Sequence, residues 1–125
     1  MYWMSVEHVI CASHELTGEG AVRPLHGHNW RITAHVCAAH LDSAGQVLAP
    51  DSLESELWTV IDPFDHRHLN DLAAFSSSSG VPPSAAGLAR LIAERLALRV
   101  DDERVRVRRV DVEPRDGMRD SWDVP

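Results

Sequence analysis

The stretch RPLHGHNWRITAH (residues 23–35) decides the fold, because it leads into a run in which apolar and polar side chains alternate. The alternation extends over residues 28–40 with a period of two, which is the side-chain period of a β-strand. The apolar face comprises Trp30, Ile32, Ala34, Val36 and Ala38, and the other face Arg31, Thr33, His35 and Cys37. The pattern predicts a strand whose apolar face packs on helices.

Four further strands are predicted from β-branched residues, alternation and flanking turn residues. They are expected at residues 5–14, 47–49, 104–113 and 119–124. A loop at 15–24 and a turn at 41–46 separate the first members of this series. Because strands joined by tight turns pair in antiparallel fashion, we expect an α+β fold with an antiparallel sheet and helices on one face.

Two helices are predicted from apolar residues at helical spacing. The first covers PDSLESELWTVID (50–62), with Asp51 as its N-cap and Glu54 completing a capping box. The second covers SAAGLARLIAERLALRV (84–100), with Ser84 as its N-cap.

Composition limits the class of protein. A chain of 125 residues that is 44% hydrophobic suits one domain, residues 1–125. The formal net charge is −7 and the chain contains no Lys, so nucleic-acid binding is not expected. No apolar run reaches the length of a membrane span and no secretory signal begins the chain, so neither a membrane nor export is expected, and the location is expected to be cytoplasmic. Cys11 and Cys37 lack CxxC spacing and are predicted to be buried free thiols.

Three histidines form the candidate site. His26 and His28 are two residues apart, so an extended backbone turns both imidazoles to the same face. His14 ends the preceding predicted strand, and a hairpin-like connection would return the chain beside it. Three neutral imidazoles leave the fourth position of a tetrahedral zinc ion open, which is the catalytic pattern. The alternative is that the histidines are incidental polar residues.

Five segments in order resemble one known family over roughly residues 6 to 114. They are ICASH (10–14), LHGHNW (25–30), FDHRHLN (64–70), PPSAAGLA (82–89) and VDVEP (110–114). In this combination they resemble the 6-pyruvoyl-tetrahydropterin synthase and 6-carboxytetrahydropterin synthase family.

The resemblance implies a tunnel-type pterin-binding fold, with a four-stranded antiparallel sheet and two helices on one face. It implies that three subunits close a barrel, that two trimers form a hexamer, and that active sites lie at subunit interfaces. It also implies Zn²⁺ held by His14, His26 and His28, which agrees with the ligand set suggested by spacing.

Further site residues follow from the resemblance. Asp65 and His66 match a pair that serves in proton transfer, since a carboxylate can orient an imidazole; the alternative is a turn cap beside a surface residue. Glu113 matches the anchor of the pterin ring, because a carboxylate accepts two parallel hydrogen bonds; the alternative is a solvated Glu. Ser84 remains at the start of the second helix as a candidate substrate contact, and Asn70 is expected to fix a turn.

The chain departs from the family pattern where a catalytic base is expected. Val22 stands where the synthases usually carry Cys, and Arg23 where other members carry Glu. Glu19 in the same loop is a candidate catalytic substitute and Glu15 another, whereas alternation points Cys11 away from His14.

Two other family motifs are also altered. Residues 49–50 are Ala-Pro instead of Asp-Phe, and Ala86 replaces a Glu at the start of the second helix.

Three functions follow from these patterns. The first is a zinc-dependent carbon–oxygen lyase acting on 7,8-dihydroneopterin triphosphate or a related dihydropterin, with altered acid–base chemistry. The second is a catalytically degenerate pterin- or purine-binding accessory or sensor protein of the same fold. The third is a plain α+β domain with coincidental histidines.

Overall fold

The computed structural model describes residues 1–17 and 23–125. Two long strands form its central hairpin, β1 (Tyr2–Leu16) and β2 (Arg23–Ala38). They pair antiparallel from Tyr2 opposite Ala38 to His14 opposite His26. This register places the predicted metal ligands of the two strands beside each other.

Three further strands complete the sheet. They are β3 (Arg67–His68), β4 (Val105–Arg115) and β5 (Met118–Asp123). The order across the sheet is β3-β1-β2-β4-β5, and every neighbouring pair is antiparallel except the short parallel contact of β3 with β1. The α+β prediction is confirmed. The sheet has one more strand than the four that the family resemblance implies, because the chain adds the two-residue β3.

Two helices, α1 (Pro50–Ile61) and α2 (Ala85–Val100), pack on the same face of the sheet, which we call the covered face. The alternating residues of β2 behave as predicted, since Trp30, Ile32 and Ala34 are fully buried there. The opposite face, which we call the open face, carries Val9 and Cys11 among its exposed side chains. No helix of the described ranges is long and apolar enough to cross a membrane.

The predicted strand at 47–49 is wrong, because this segment is a loop that leads into α1. Asp42 organises the turn before it: its Oδ1 accepts hydrogen bonds from the N–H groups of Ala44 and Gln46, each at 2.9 Å. Both edges of β2 are already occupied, by β1 and β4, so a hairpin partner has no place beside it.

The helix caps give one correction and one confirmation. Helix α1 begins at Pro50 with Ala49 as N-cap and no side-chain cap, so the predicted Asp51 capping box is wrong. Proline lacks an N–H and fits the first helical position, which moves Asp51 into the first turn. The Ser84 cap of α2 is confirmed, since its Oγ accepts a hydrogen bond from the N–H of Gly87 at 3.1 Å.

The two cysteines lie in different environments. Cys37 is buried as predicted, but Cys11 is exposed, so that part of the prediction is wrong. The alternation of β1 turns Cys11 to the open face, which the helices do not cover.

Candidate metal centre and substrate cavity

Three histidines converge on the covered face at one end of the β1–β2 hairpin. His14 lies directly opposite His26, and His28 lies opposite Ala12 in the same ladder. One ring nitrogen from each histidine can be chosen so that all three lie within 4.8 Å of one another. His14 is buried, with 5% of its surface exposed, while His26 and His28 are half-buried. The hairpin register therefore creates a three-imidazole cluster.

Backbone carbonyls orient two of the imidazoles. Nδ1 of His14 lies 2.7 Å from the carbonyl of Pro83, and Nδ1 of His26 lies 2.6 Å from the carbonyl of Pro24. Because a carbonyl only accepts, each Nδ1 carries the proton, and each neutral ring presents the lone pair of Nε2. These two Nε2 atoms lie 3.0 Å apart. Two lone pairs facing each other at this distance repel unless a proton or a cation lies between them.

Protonation of His14 and His28 is disfavoured. Burial lowers the pKa of His14, against the opposing effect of its hydrogen bond to Pro83. Burial also lowers the pKa of His28, and His26, His14 and Arg115 lower it further. Neutral imidazoles are the form that binds metal ions, and zinc bound to two of them at ~2.0–2.1 Å would bring the nitrogens to roughly 3.3 Å at the tetrahedral angle. The donor set therefore fits a divalent metal ion.

A cavity of about 190 Å³ opens beside the cluster. Trp30 lines it, fully buried, with its Nε1 donating a hydrogen bond to the carbonyl of Ala12 at 3.0 Å. The other lining residues come from the cluster, the strand ends and the start of α2: His14, Leu16, His26, His28, Ser84, Ala85, Pro114, Arg115, Met118 and Asp120. Ser84 thus reaches the cavity while capping α2.

Asp65 and His66 lie outside this cavity, beside the outer edge of β1. Asp65 Oδ1 accepts a hydrogen bond from the N–H of Cys11 at 2.9 Å, and its Oδ2 lies 3.1 Å from Nδ1 of His66. The N–H of His66 donates to the carbonyl of Cys11 at 2.6 Å. His66 has a positive φ of 59°, and 79% of its side chain is exposed. The pair is therefore held rigidly at its base and presents its imidazole outward.

Glu113 lies on the open face, opposite Arg31 in the β2–β4 ladder. Its Oε1 accepts hydrogen bonds from Arg119, at 3.0 Å from Nη2 and 3.3 Å from Nε. Arg31 approaches the other oxygen, with Nη1 at 3.9 Å from Oε2. Glu113 thus lies in a small pocket of its own, which Val9, Asn29, Arg31, Arg115 and Asp116 also line.

Comparison with known proteins decides the family. The family model described as 6-pyruvoyl tetrahydropterin synthase matches residues 4–119. This chain belongs to that family. A curated relative, the 6-carboxy-5,6,7,8-tetrahydropterin synthase of Helicobacter pylori, is 33% identical over 61 residues. That match spans 46% of this chain and 30% of the relative.

Solved structures agree on the fold of this family member. The 6-pyruvoyl tetrahydropterin synthase of Caenorhabditis elegans has a TM-score of 0.78 at 20% identity, covering 100% of this chain and 98% of its own. The Plasmodium falciparum 6-pyruvoyl tetrahydropterin synthase has a TM-score of 0.75 at 16% identity, covering 97% and 96%. An uncharacterised protein of Wolinella succinogenes has a TM-score of 0.76 at 20% identity, covering 98% and 97%.

A catalytic base is expected in the loop between β1 and β2, where Glu19 and Val22 lie outside the described residues. Glu15 is exposed at the end of β1, and its backbone is clamped by Asn70, which donates to its carbonyl and accepts from its N–H, both at 3.0 Å. Asn70 therefore has a structural role, although it fixes β1 instead of its own turn.

One polar network of this pterin synthase relative was not predicted. Asp111 is buried on the open face, where it accepts hydrogen bonds from Ser121 at 2.6 Å, His35 at 2.7 Å and Arg109 at 2.8 Å. Burial alone would raise the pKa of Asp111, but these hydrogen bonds lower it to about 2. The sequence gives one signal for Asp111. Alternation assigns its neighbours Val110 and Val112 to the covered face, so Asp111 must point to the open face.

Proposed function

We propose that this chain is a zinc-dependent pterin enzyme with carbon–oxygen lyase chemistry, acting on 7,8-dihydroneopterin triphosphate or a related dihydropterin. The proposal rests above all on the facing Nε2 atoms of His14 and His26, 3.0 Å apart and joined by His28. A zinc ion held by three imidazoles would keep its fourth coordination position free for water or substrate, which is typical of catalytic zinc sites and not of structural ones. Family membership supplies the pterin class of substrate.

The cluster would hold the metal through His14, His26 and His28. When bound, zinc supplies Lewis acidity, which polarises a coordinated oxygen group or acidifies a bound water. The carbonyls of Pro83 and Pro24 fix the Nδ1 protons, so both rings present Nε2 without a change of tautomer. The protein's own contribution is thus a preoriented set of neutral donors.

Glu113 would bind the ring of the substrate. A carboxylate that is 17% exposed can accept two parallel N–H hydrogen bonds from a 2-amino-4-oxo pyrimidine edge. Arg119 holds one of its oxygens in the free protein, so substrate binding requires this guanidinium to move or to share the carboxylate. Asp65 would orient His66 for proton transfer, since their side chains are 3.1 Å apart.

A second copy of the chain would complete the site. The cavity of about 190 Å³ is smaller than the roughly 300–1,000 Å³ of typical small-molecule sites. The outer edge of β1 over residues 2–10 pairs with no strand of the described chain, and Tyr2, Trp3 and Val9 are exposed along this stretch. Unpaired edges favour strand pairing between chains. These features support the expected homohexamer of single-domain subunits, with active sites at the subunit interfaces. The cytoplasmic location stays a prediction.

The proton acceptor would be a glutamate at the end of β1 or shortly after it in the sequence. Val22 and Arg23 stand where the family's usual bases are expected, so Glu19 or Glu15 would take over this task. Losing a positioned base typically costs ~10²–10⁴-fold in rate, which makes activity the sensitive test of this assignment.

A second function, a pterin- or purine-binding accessory or sensor protein, is favoured by one observation. In the free protein Arg119 donates hydrogen bonds to Glu113, the expected pterin anchor. A ligand that bound Glu113 would break this ion pair. Binding of a ring that displaces Arg119 would then be the signal, and no proton acceptor would be needed.

Metal analysis and turnover separate the two functions. Purified protein is analysed for bound zinc and incubated with 7,8-dihydroneopterin triphosphate, with the products separated by chromatography. Stoichiometric zinc and a new pterin product support the enzyme. Zinc without turnover, together with tight binding of a pterin, supports the sensor. A protein that binds neither zinc nor pterins contradicts both.

A further inference from the structure

The tip of the β4–β5 hairpin carries an arginine that lies beside both pockets. Arg115 pairs with Met118 across a two-residue turn in which Gly117 has a φ of +82°. Glycine adopts such a backbone conformation without strain, so the turn fixes the point from which the Arg115 side chain extends. Arg115 lines both the cavity of the histidine cluster and the pocket of Glu113.

Arg115 differs from the other arginines near Glu113. Arg31 lies 3.9 Å from the carboxylates of both Glu7 and Glu113, and Arg119 donates hydrogen bonds to Glu113, so each of these guanidiniums already has a carboxylate partner. Arg115 has no carboxylate oxygen within 4.0 Å of its guanidinium among the described residues. Asp120 lines the same cavity but does not reach it within that distance. Of the described residues that line the cavity, Arg115 is the one with a guanidinium.

The position of Arg115 suits recognition of a ligand that spans the two pockets. The histidines lie on the covered face and Glu113 on the open face, and Arg115 lines the pockets of both, so a molecule that reached from Glu113 round the end of the sheet to the histidines would lie beside Arg115. A planar guanidinium offers paired N–H donors that match the oxygens of a phosphate or a carboxylate.

We propose that Arg115 is the specificity-determining residue of this site and binds an oxyanion, a phosphate or a carboxylate, on the side chain of the substrate. The proposal rests on the proposed function and narrows it, because it selects dihydropterins with an anionic side chain over neutral ones. Arg115 would act by binding the anion through the N–H donors of its guanidinium.

Anion binding to chelator-treated protein is the direct test, because it removes any metal that could bind the anion itself. Inorganic triphosphate and malonate are titrated by calorimetry into wild type, Arg115→Gln, Arg115→Lys and Arg108→Gln. Arg108 is the matched control, an exposed arginine on the same strand. We expect Arg115→Gln to weaken binding of the preferred anion about tenfold to a hundredfold, with Arg115→Lys between it and wild type and Arg108→Gln unchanged. The anion that shows the larger loss identifies phosphate or carboxylate as the group recognised.

Equal affinities of wild type and Arg115→Gln for both anions would overturn the inference. Turnover then separates it from the proposed function. If metal-loaded Arg115→Gln discriminates between 7,8-dihydroneopterin triphosphate and 7,8-dihydroneopterin as wild type does, Arg115 does not set specificity, although the enzyme assignment stands. If Arg115 binds anions but no pterin binds to any variant, the proposed function fails and the anion site remains.

Discussion

The Nε2 atoms of His14 and His26 face each other at 3.0 Å across the first ladder of the sheet. Each ring is fixed by a carbonyl at its Nδ1, so neither can turn away without losing a hydrogen bond, and the hydrogen bond of His14 is partly buried. This arrangement is strained by lone-pair repulsion when both rings are neutral and is relieved by a shared cation. The geometry therefore links the hairpin register directly to metal binding.

Replacing one of these ligands should abolish stable metal binding. We expect His26→Gln to lose bound zinc, since two remaining imidazoles bind a metal ion much more weakly than three, while the sheet stays folded because His26 is only half-buried. Zinc content after dialysis, measured by mass spectrometry, checks this. His40→Gln is the control, an exposed histidine beyond the end of β2. Full zinc occupancy in His26→Gln would show that the cluster is not the metal site.

The start of α2 should tolerate no added methyl group at Gly87. A Cβ at this position would lie 2.0 Å from the carbonyl oxygen of Pro82, and because this oxygen belongs to the backbone, rotamer changes cannot relieve the clash. We expect Gly87→Ala to destabilise the fold by about 3 kcal/mol and to weaken zinc binding, because the shifted segment includes the Pro83 carbonyl that orients His14.

Denaturant unfolding and zinc content measure the two effects of Gly87→Ala. Ala86→Gly is the matched control at the neighbouring exposed position, where about 1 kcal/mol is expected from helix propensity alone. A Gly87→Ala variant more stable than wild type would show that the helix starts differently from the structure described here.

Local pattern was enough to predict what depends on alternation and on a short hairpin. The covered face of β2 follows from its period of two, and the meeting of His14 with His26 and His28 follows from two strands joined by one loop. The exposure of Cys11 could not be predicted in the same way, because alternation separates the two faces of a strand without saying which one the helices cover.

The features that the sequence did not predict correctly depend on contacts between segments far apart in the chain. A strand at 47–49 is locally plausible, but β1 and β4 already occupy both edges of β2. The two-residue β3 is too short to show any period, yet it docks the segment of Asp65 and His66 on β1. The Asp111 network joins three strands, so no local pattern predicts it.

Removing the charge of Glu113 should weaken pterin binding and leave zinc binding intact. In Glu113→Gln the side chain keeps its size but accepts fewer N–H hydrogen bonds, and charged hydrogen bonds are worth ~1.5–3 kcal/mol each. We therefore expect at least a tenfold loss of affinity for a dihydropterin, measured by calorimetry, with unchanged zinc content. Glu103→Gln, at an exposed position, is the control. Unchanged affinity in Glu113→Gln would remove the anchor from the proposed mechanism.

The Asp111 network should make stability depend on pH in acid. The folded-state pKa of Asp111 is lowered from 3.8 to about 2, so the carboxylate contributes stability that is fully present above pH 3.8 and is lost as the pH falls through about 2. The difference corresponds to about 2 kcal/mol. We expect Asp111→Asn to be less stable than wild type by about this amount at pH 7, and the gap to shrink as the pH falls from 3.8 to about 2. Urea unfolding of chelator-treated protein at several pH values measures the gap without interference from metal loss, and Glu103→Gln again serves as the control. A gap that stays constant down to pH 2 would mean that the Asp111 carboxylate is not held ionised by His35, Arg109 and Ser121.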